Sequence, residues 1–209
     1  MPDLLRERSL LAAGATAVAG VDEVGRGALA GPVTVGIVVV TSAVGEPPAG
    51  VDDSKALSRA LRERLVPLID GWCTDYALGS SSAAEVDQLG IVAALRLAFR
   101  RGYAALKVPA THVLLDGKHN WIGGANLLDQ EAPDVQVTTV VKGDRSCASV
   151  AAASVLAKVD RDTRMRELAL QYPGYGWESN VGYGAPVHLA ALRSLGTTEH
   201  HRRSWRLPE

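Results

Sequence analysis

Two cysteines, Cys73 and Cys147, are all that this chain of 209 residues carries. They lie far apart with no ligand spacing around them, which excludes a disulfide framework and a cysteine zinc site and suits a reducing compartment. The five histidines show no metal-ligand spacing either. No apolar run approaches the roughly 20 residues of a membrane-spanning helix. The leucine-rich stretch Leu4 to Leu11 is interrupted by Arg6, Glu7 and Arg8 and has no signal-peptide layout, so a cytoplasmic protein without a membrane partner is expected. Walker-type phosphate loops and a Ser/His/Asp set in recognisable context are absent. Charge of one sign is missing too: 22 Lys/Arg against 23 Asp/Glu leave a net −1, so bulk attraction to nucleic acid is not implied. The distribution is less even, with ten Lys/Arg against seven Asp/Glu from Val140 onward, which permits a local phosphate-binding face.

What is present is ordinary for a globular chain, 47% hydrophobic and 22% charged, with a length that suits one domain and an appendage. The pattern predicts a short helix over 3–13 with Leu4, Leu5, Leu10 and Leu11 as its apolar side, and a strand over 17–23. A second, central strand over 32–41 is expected to pair antiparallel through a short Gly-rich connection. Residues 42–52 read as a loop. Ser58 is placed to cap a helix over 59–69. A strand over 73–80 precedes a Ser-rich turn. A helix over 91–106 buries Val92, Leu95, Phe99, Tyr103 and Leu106. Short strands over 112–115 and 135–141 flank a loop with Trp121 and two glycines. A long helix over 147–171, whose Ala151 to Ala153 run would lie close on a sheet, is followed by a Gly/Tyr/Pro-rich remainder with one helix over 186–195. Strands followed by helix–strand alternation predict a mixed sheet with helices packed on it, and no repeat or low-complexity tract is visible.

Asp22, Glu23, Asp116 and Asp144 each fall where a predicted strand stops, the place where sites gather in sheets with parallel crossovers. An isolated Asp at a strand end is most often a turn residue. Asp22-Glu23 running straight into Gly25-Arg26-Gly27 is harder to explain as a turn. Clustered carboxylates without His or Cys select Mg²⁺ or Mn²⁺, and two such ions can clamp an in-line phosphoryl displacement. Successive strand residues point to opposite faces, so a bend or bulge at Glu23 is expected if both acids serve one site. The Gly25-x-Gly27 pair is a weak match to a dinucleotide-binding turn, since a strand rather than a helix follows it. A nucleic-acid-binding protein without catalysis and a nucleotide-binding enzyme stand as the rival readings.

With these residues in hand, the sequence resembles the bacterial ribonuclease HII family (type 2 ribonuclease H) over about 18–203. The pieces are G-V-D-E-V-G-R-G at 20–27, D-S-K-A-L-S at 53–58, L-L-D-G at 114–117 and V-V-K-G-D at 140–144. A-A-A-S-V-L-A-K-V-D-R-D at 151–162, G-Y-G-A-P-V-H-L at 182–189 and T-E-H-H-R-R-S at 198–204 complete the set. The resemblance implies an α/β, ribonuclease H-like mixed five-stranded sheet flanked by helices, with a catalytic domain over 1–171 and a helical C-terminal extension over 172–209 packed on it. It implies an endonuclease that uses Mn²⁺ or Mg²⁺ to cut the RNA strand of RNA–DNA hybrids, and single ribonucleotides in duplex DNA, leaving 3′-OH and 5′-phosphate ends. Asp22, Glu23, Asp116 and Asp144 map onto its catalytic and metal-binding acids. Gly25, Arg26 and Gly27 map onto its reader of the ribose 2′-OH, and Tyr183 onto its junction-sensing tyrosine. Lys55 reads as a phosphate contact, with Lys142 and Lys158 as weaker candidates. A monomer is expected, with recruitment by the replication machinery left open. The chain departs from the family at Val181, where a basic residue is common, at Ala185, where threonine is common, and at Arg145, where serine is common.

Overall fold

A computed structural model describes residues 1–123 and 133–208. The elements run α1 (Leu5–Ala12), β1 (Val18–Val24), β2 (Val33–Val40), α2 (Arg59–Trp72), β3 (Asp75–Ser81), α3 (Ala83–Leu89) and α4 (Ile91–Ala104). They continue with β4 (His112–Asp116), β5 (Gln136–Val140), a 3-10 turn (Gly143–Arg145), α5 (Ala148–Gln171), α6 (Trp177–Asn180) and α7 (Pro186–Leu195). The sheet order is β3-β2-β1-β4-β5, so β1 is the middle strand and β2 lies beside it. The β1–β2 and β2–β3 pairs are antiparallel, and the β1–β4 and β4–β5 pairs parallel. This is the expected mixed five-stranded sheet flanked by helices. Among the described residues no helix is long and apolar enough to cross a membrane.

Strand alternation divides the core into two layers. Ala19, Val21, Val35, Ile37, Val113 and Leu115 point to one face and pack on Leu95, Ala98 and Phe99 of α4. On the other face Val38 meets Ala151, Ala152, Val155 and Leu156 of α5 and Leu65 and Ile69 of α2, while Val18, Val40 and Leu114 surround Val150. On this second face two positions have no side chain. A Cβ on Gly20 would collide with the backbone of Ser149 and Val150, and one on Gly36 with the carbonyl of Ala153. Glycine at both points lets α5 lie directly against the sheet. The start of α5 is held from outside by buried Glu7, whose Oε1 accepts from Ser149 N at 2.9 Å and Ser149 Oγ at 2.6 Å, a carboxylate where the helix end favours negative charge.

Several expectations are corrected. In α1, Leu4 is buried but Leu5 is 69% exposed, so the four leucines do not form one apolar side. Helix α2 continues to Trp72, with Cys73 N still bonded to Ile69 O, and this delays β3 to Asp75. The Ser-rich turn is in fact the start of α3, opened by a capping box in which Ser82 and Glu85 satisfy each other's backbone N–H. Val92, expected in the buried stripe of α4, is 41% exposed. The loop with Trp121 can be followed to Gly123; its second glycine, Gly124, lies outside the described residues. No bulge forms at Glu23: β1 stays in register with β2 through Asp22↔Gly36, Glu23↔Val35 and Val24↔Thr34. The chain turns only at Gly25, where φ is +83°.

The C-terminal residues form a satellite core on the end of α5, with Met165 packed among Ala30, Tyr175, Trp177, Val181 and Ala191. Helix α7 has Ala185 at its N-cap, with no side-chain cap, and relies on Pro186 in its first turn. Replacing Ala185 with Thr is expected to raise unfolding stability by about 1 kcal/mol in denaturant titration. Gly36→Ala is expected to cost ~1–3 kcal/mol and to lower the thermal midpoint by several degrees. An unchanged midpoint would mean that α5 does not rest on the sheet as described.

Candidate active site

Parallel pairing of β1 with β4 ends at Val21↔Leu115. The next residues on the two strands are Asp22 and Asp116, side by side on strands about 5 Å apart. Alternation puts both on the face covered by α5. Asp22 is 5% exposed, and its Oδ1 accepts from Glu23 N at 2.8 Å. Asp116 Oδ1 accepts from Gly143 N at 2.7 Å, which ties the 3-10 turn, and buried Asp144 with it, to the end of β4. Asp144 therefore does not end β5, as the sequence suggests. It reaches the same place because Lys142 takes a left-handed conformation, φ 57°, and folds the turn back. Glu23, although β1 is regular, lines one cleft with Asp22 and meets Arg26 at 3.2 Å.

The charges sense one another. Burial pushes the Asp22 carboxyl up to about 7; the Ser154 hydroxyl opposes this, Glu23 and Asp116 add to it, and Lys55 opposes it. Burial raises Glu23 as well, against the pull of Arg26. Asp144 is raised by burial and then by Asp116 and Asp53. Among the described residues no three Asp, Glu, His or Cys side chains close around one point as metal ligands do. Three of the acids are instead drawn to local partners: Glu23 to Arg26, Asp116 to Gly143 N, Asp144 towards Lys55. The donor set nonetheless fits a hard divalent cation, since it is all oxygen and its buried carboxylates repel one another without a positive charge between them.

The cleft, about 390 Å³, runs from Asp22 and Glu23 past Gly25, Arg26 and Gly27 to Ser54, Lys55, Ser154, Lys158 and Tyr183. Gly25 is required by the fold itself: its φ is +83°, and a Cβ there would strike Arg161 and the Pro32 carbonyl. A Cβ on Gly27 would meet nothing within 4 Å, so the protein's own packing does not demand glycine there. Tyr183 comes from the far end of the chain, its hydroxyl accepting from Gly25 N at 3.2 Å. Lys158 and Arg161 stand over its ring at 5.8 and 5.4 Å. Lys142 is exposed and does not line this cleft, whereas Lys158 does while paired with Asp162 at 2.9 Å. A larger depression at the opposite end of the sheet has Asp75 along it, but that carboxylate already accepts from Lys107 N and Val108 N.

Sequence reasoning missed the supports. Arg202 donates to Gly25 O at 2.6 Å and Arg26 O at 2.8 Å; Arg161 donates to Pro32 O, Val181 O and Ala30 O. Asp53, Ser54 and Ser154 were missed too, with Ser54 and Ser154 hydroxyls 2.8 Å apart. The signal for part of this set was the 154, 158, 161 spacing, one face of α5. The departures at Val181 and Arg145 also find their places. Val181 sits in a left-handed turn, φ 43°, and Arg145 pairs with Asp53 at 3.0 Å.

This sheet, with carboxylates at adjoining strand ends and basic groups facing them, defines a nuclease of the ribonuclease H fold. The chain matches the family model for ribonuclease HII over residues 19–207. It is 50% identical over 200 residues to ribonuclease HII of Streptomyces coelicolor, covering 95% of this chain and 81% of that one. Ribonuclease H2 of Pyrococcus horikoshii OT3 shares the fold with a TM-score of 0.71 at 24% identity, covering 91% of this chain and 94% of that one. Bst-RNase HIII in complex with Mn²⁺ superimposes with a TM-score of 0.66 at 19% identity, covering 92% and 68%. The chain belongs to the ribonuclease HII family, endonucleases of the ribonuclease H type that act on RNA–DNA hybrids.

Because folded Asp22 holds its proton more tightly than the unfolded chain, its contribution to stability is full below the ordinary value of 3.8 and is lost as pH rises through about 7. Asp22→Asn, metal-free at pH 8, is therefore expected to be more stable than the parent by roughly 1–3 kcal/mol, with the gap closing towards pH 4. Thermal unfolding across that range checks the sign.

Proposed function

We propose that the chain cuts on the 5′ side of a ribonucleotide, in hybrids and at single ribonucleotides within duplex DNA, leaving 3′-OH and 5′-phosphate ends. The carrying observation is that Asp22 and Asp116 stand on adjacent strand ends, beside a glycine loop with open space at Gly27. Asp22, Glu23 and Asp116 hold Mg²⁺ or Mn²⁺, and Asp144 holds metal or orients water. The Mn²⁺ complex of a fold neighbour supports this choice of ion without deciding between the two. When bound, such ions activate water and neutralise charge developing on the phosphate.

The remaining roles belong to the chain itself. Only the 2′-OH distinguishes RNA from DNA at a given nucleotide, so the reader must come close to the sugar. Bare backbone at Gly27 permits that approach, and Arg26, half exposed beside it, reaches the adjacent phosphate. Tyr183 has its hydroxyl bound to the Gly25 amide, so its ring edge is held at the rim where the neighbouring deoxyribose packs. Lys55 contacts a phosphate across the cleft. On this reading residues 1–171 carry the acids and the extension 172–209 delivers Tyr183. The free thiols Cys73 and Cys147 suit a cytoplasmic setting. A monomer suffices on this reading, since one chain lines the whole cleft.

A labelled DNA duplex with one ribonucleotide, incubated with Mg²⁺ and then Mn²⁺, is expected to be cut once, 5′ of that residue, while the all-DNA duplex stays intact. Asp22→Asn is expected to reduce cleavage to background with its fold retained. Equal cutting of the all-DNA duplex would remove the 2′-OH reading. Parental turnover by the Asn variant would remove the metal assignment.

A further inference from the structure

Two loops meet beside the carboxylates, and they meet through crossed ion pairs. One loop carries Asp53 and Lys55, the other Asp144 and Arg145. Asp53 is buried, accepts from Lys55 N at 3.0 Å, and takes both Nε and Nη2 of Arg145 at 3.3 and 3.0 Å. Lys55 Nζ stands 4.0 Å from Asp144 Oδ2. The first pair has a buried acid met by two nitrogens and a backbone amide, so it is the firmer joint of the two. The second is at the limit of contact, and the Lys55 side chain is 74% exposed. An ion pair of that kind holds only weakly.

Lys55 also differs from the other cations lining the cleft. Lys158 is paired with Asp162 at 2.9 Å and Arg26 with Glu23 at 3.2 Å. Lys55 has no such close partner, yet it lines the same cleft as Asp22 and Glu23 and faces Asp144. It is the least tethered positive charge lining a site with a surplus of negative ones.

We propose that Lys55 is the resident, exchangeable counter-ion of the carboxylate cluster, held over it by the Asp53–Arg145 joint and displaced when a divalent cation enters. The inference rests on the metal assignment above. It gives Lys55 two opposed effects. In the substrate-free protein its ammonium competes with the incoming cation for the same carboxylates. Once the cation has taken its place, the released ammonium is free to meet a substrate phosphate. Arrival of metal and grip on substrate are thereby coupled through one flexible side chain.

The test is Mn²⁺ binding to the full-length protein without nucleic acid, by calorimetry or by the resonance signal of free Mn²⁺. Lys55→Met is expected to bind Mn²⁺ about 2- to 5-fold more tightly, the worth of a largely exposed charge contact. Lys55→Arg, which keeps the charge, is expected to stay near the parent. Lys107→Met, which removes the same charge at the opposite end of the sheet, is expected to leave Mn²⁺ affinity unchanged. At saturating Mn²⁺, Lys55→Met is expected to raise KM for a ribonucleotide-containing duplex several-fold. Mn²⁺ binding by Lys55→Met that is no tighter than the parent's overturns the counter-ion role and leaves the metal site standing. A parent that takes up no Mn²⁺ overturns both.

Discussion

The contact on which the site depends is the bare one between α5 and the sheet. Side chains normally hold a helix about 10 Å from a sheet; here Gly20 and Gly36 offer none, and α5 presents Ala151, Ala152 and Ala153. The helix axis drops towards the strands, and Ser154 arrives beside Asp22, Lys158 beside the cleft and Arg161 beneath Gly25. A bulkier residue at either glycine would lift the helix and separate these groups from the strand ends. The tight packing is therefore a positioning device as well as a source of stability.

Above that contact the loop at 25–27 is held by an unusual pair of buried cations. Arg161 and Arg202 are fully buried, and their partners are backbone carbonyls at both ends of the loop and in the turn before Tyr183. A guanidinium suits this role because its planar fork satisfies several oxygens at once. Their charge stays close to the candidate cleft. Arg202 belongs to a C-terminal segment locked by a neutral histidine pair. His188 Nε2 accepts from Trp177 and lies 3.1 Å from His201 Nε2, and burial depresses His188 and takes His201 down to about 4. The segment farthest along the chain thus buttresses the loop that follows β1.

Most of the elements were legible in the sequence because each carries its own signature: an apolar run for β1, a β-branched run for β2, a 3-to-4 residue apolar period for α4, alanines for α5. Helix α3 escaped because seven residues give no period to read, and only the Ser82–Glu85 box marked it. The exposed Leu5 shows the limit from the other side, since an apolar residue near a chain end need not find a partner. At the site, the acids could be named from strand ends, yet the way Glu23 shares a cleft with Asp22 could not. Strand parity argued for a bulge; the structure keeps the strand straight and lets the long Glu23 side chain bend towards Arg26 instead.

By itself the sequence determined the mixed sheet and marked four acids at strand ends and a glycine loop as candidates, because these follow from local pattern and residue chemistry. Only the tertiary structure decided that Asp22 and Asp116 are neighbours, that Asp144 arrives through a 3-10 turn, and that Asp53 and Arg145 join two loops. It also decided that Arg161 and Arg202 serve carbonyls rather than carboxylates. Those facts depend on strand order, register and the approach of α5, which are set by how distant segments pack together and leave no trace in the spacing of neighbouring residues.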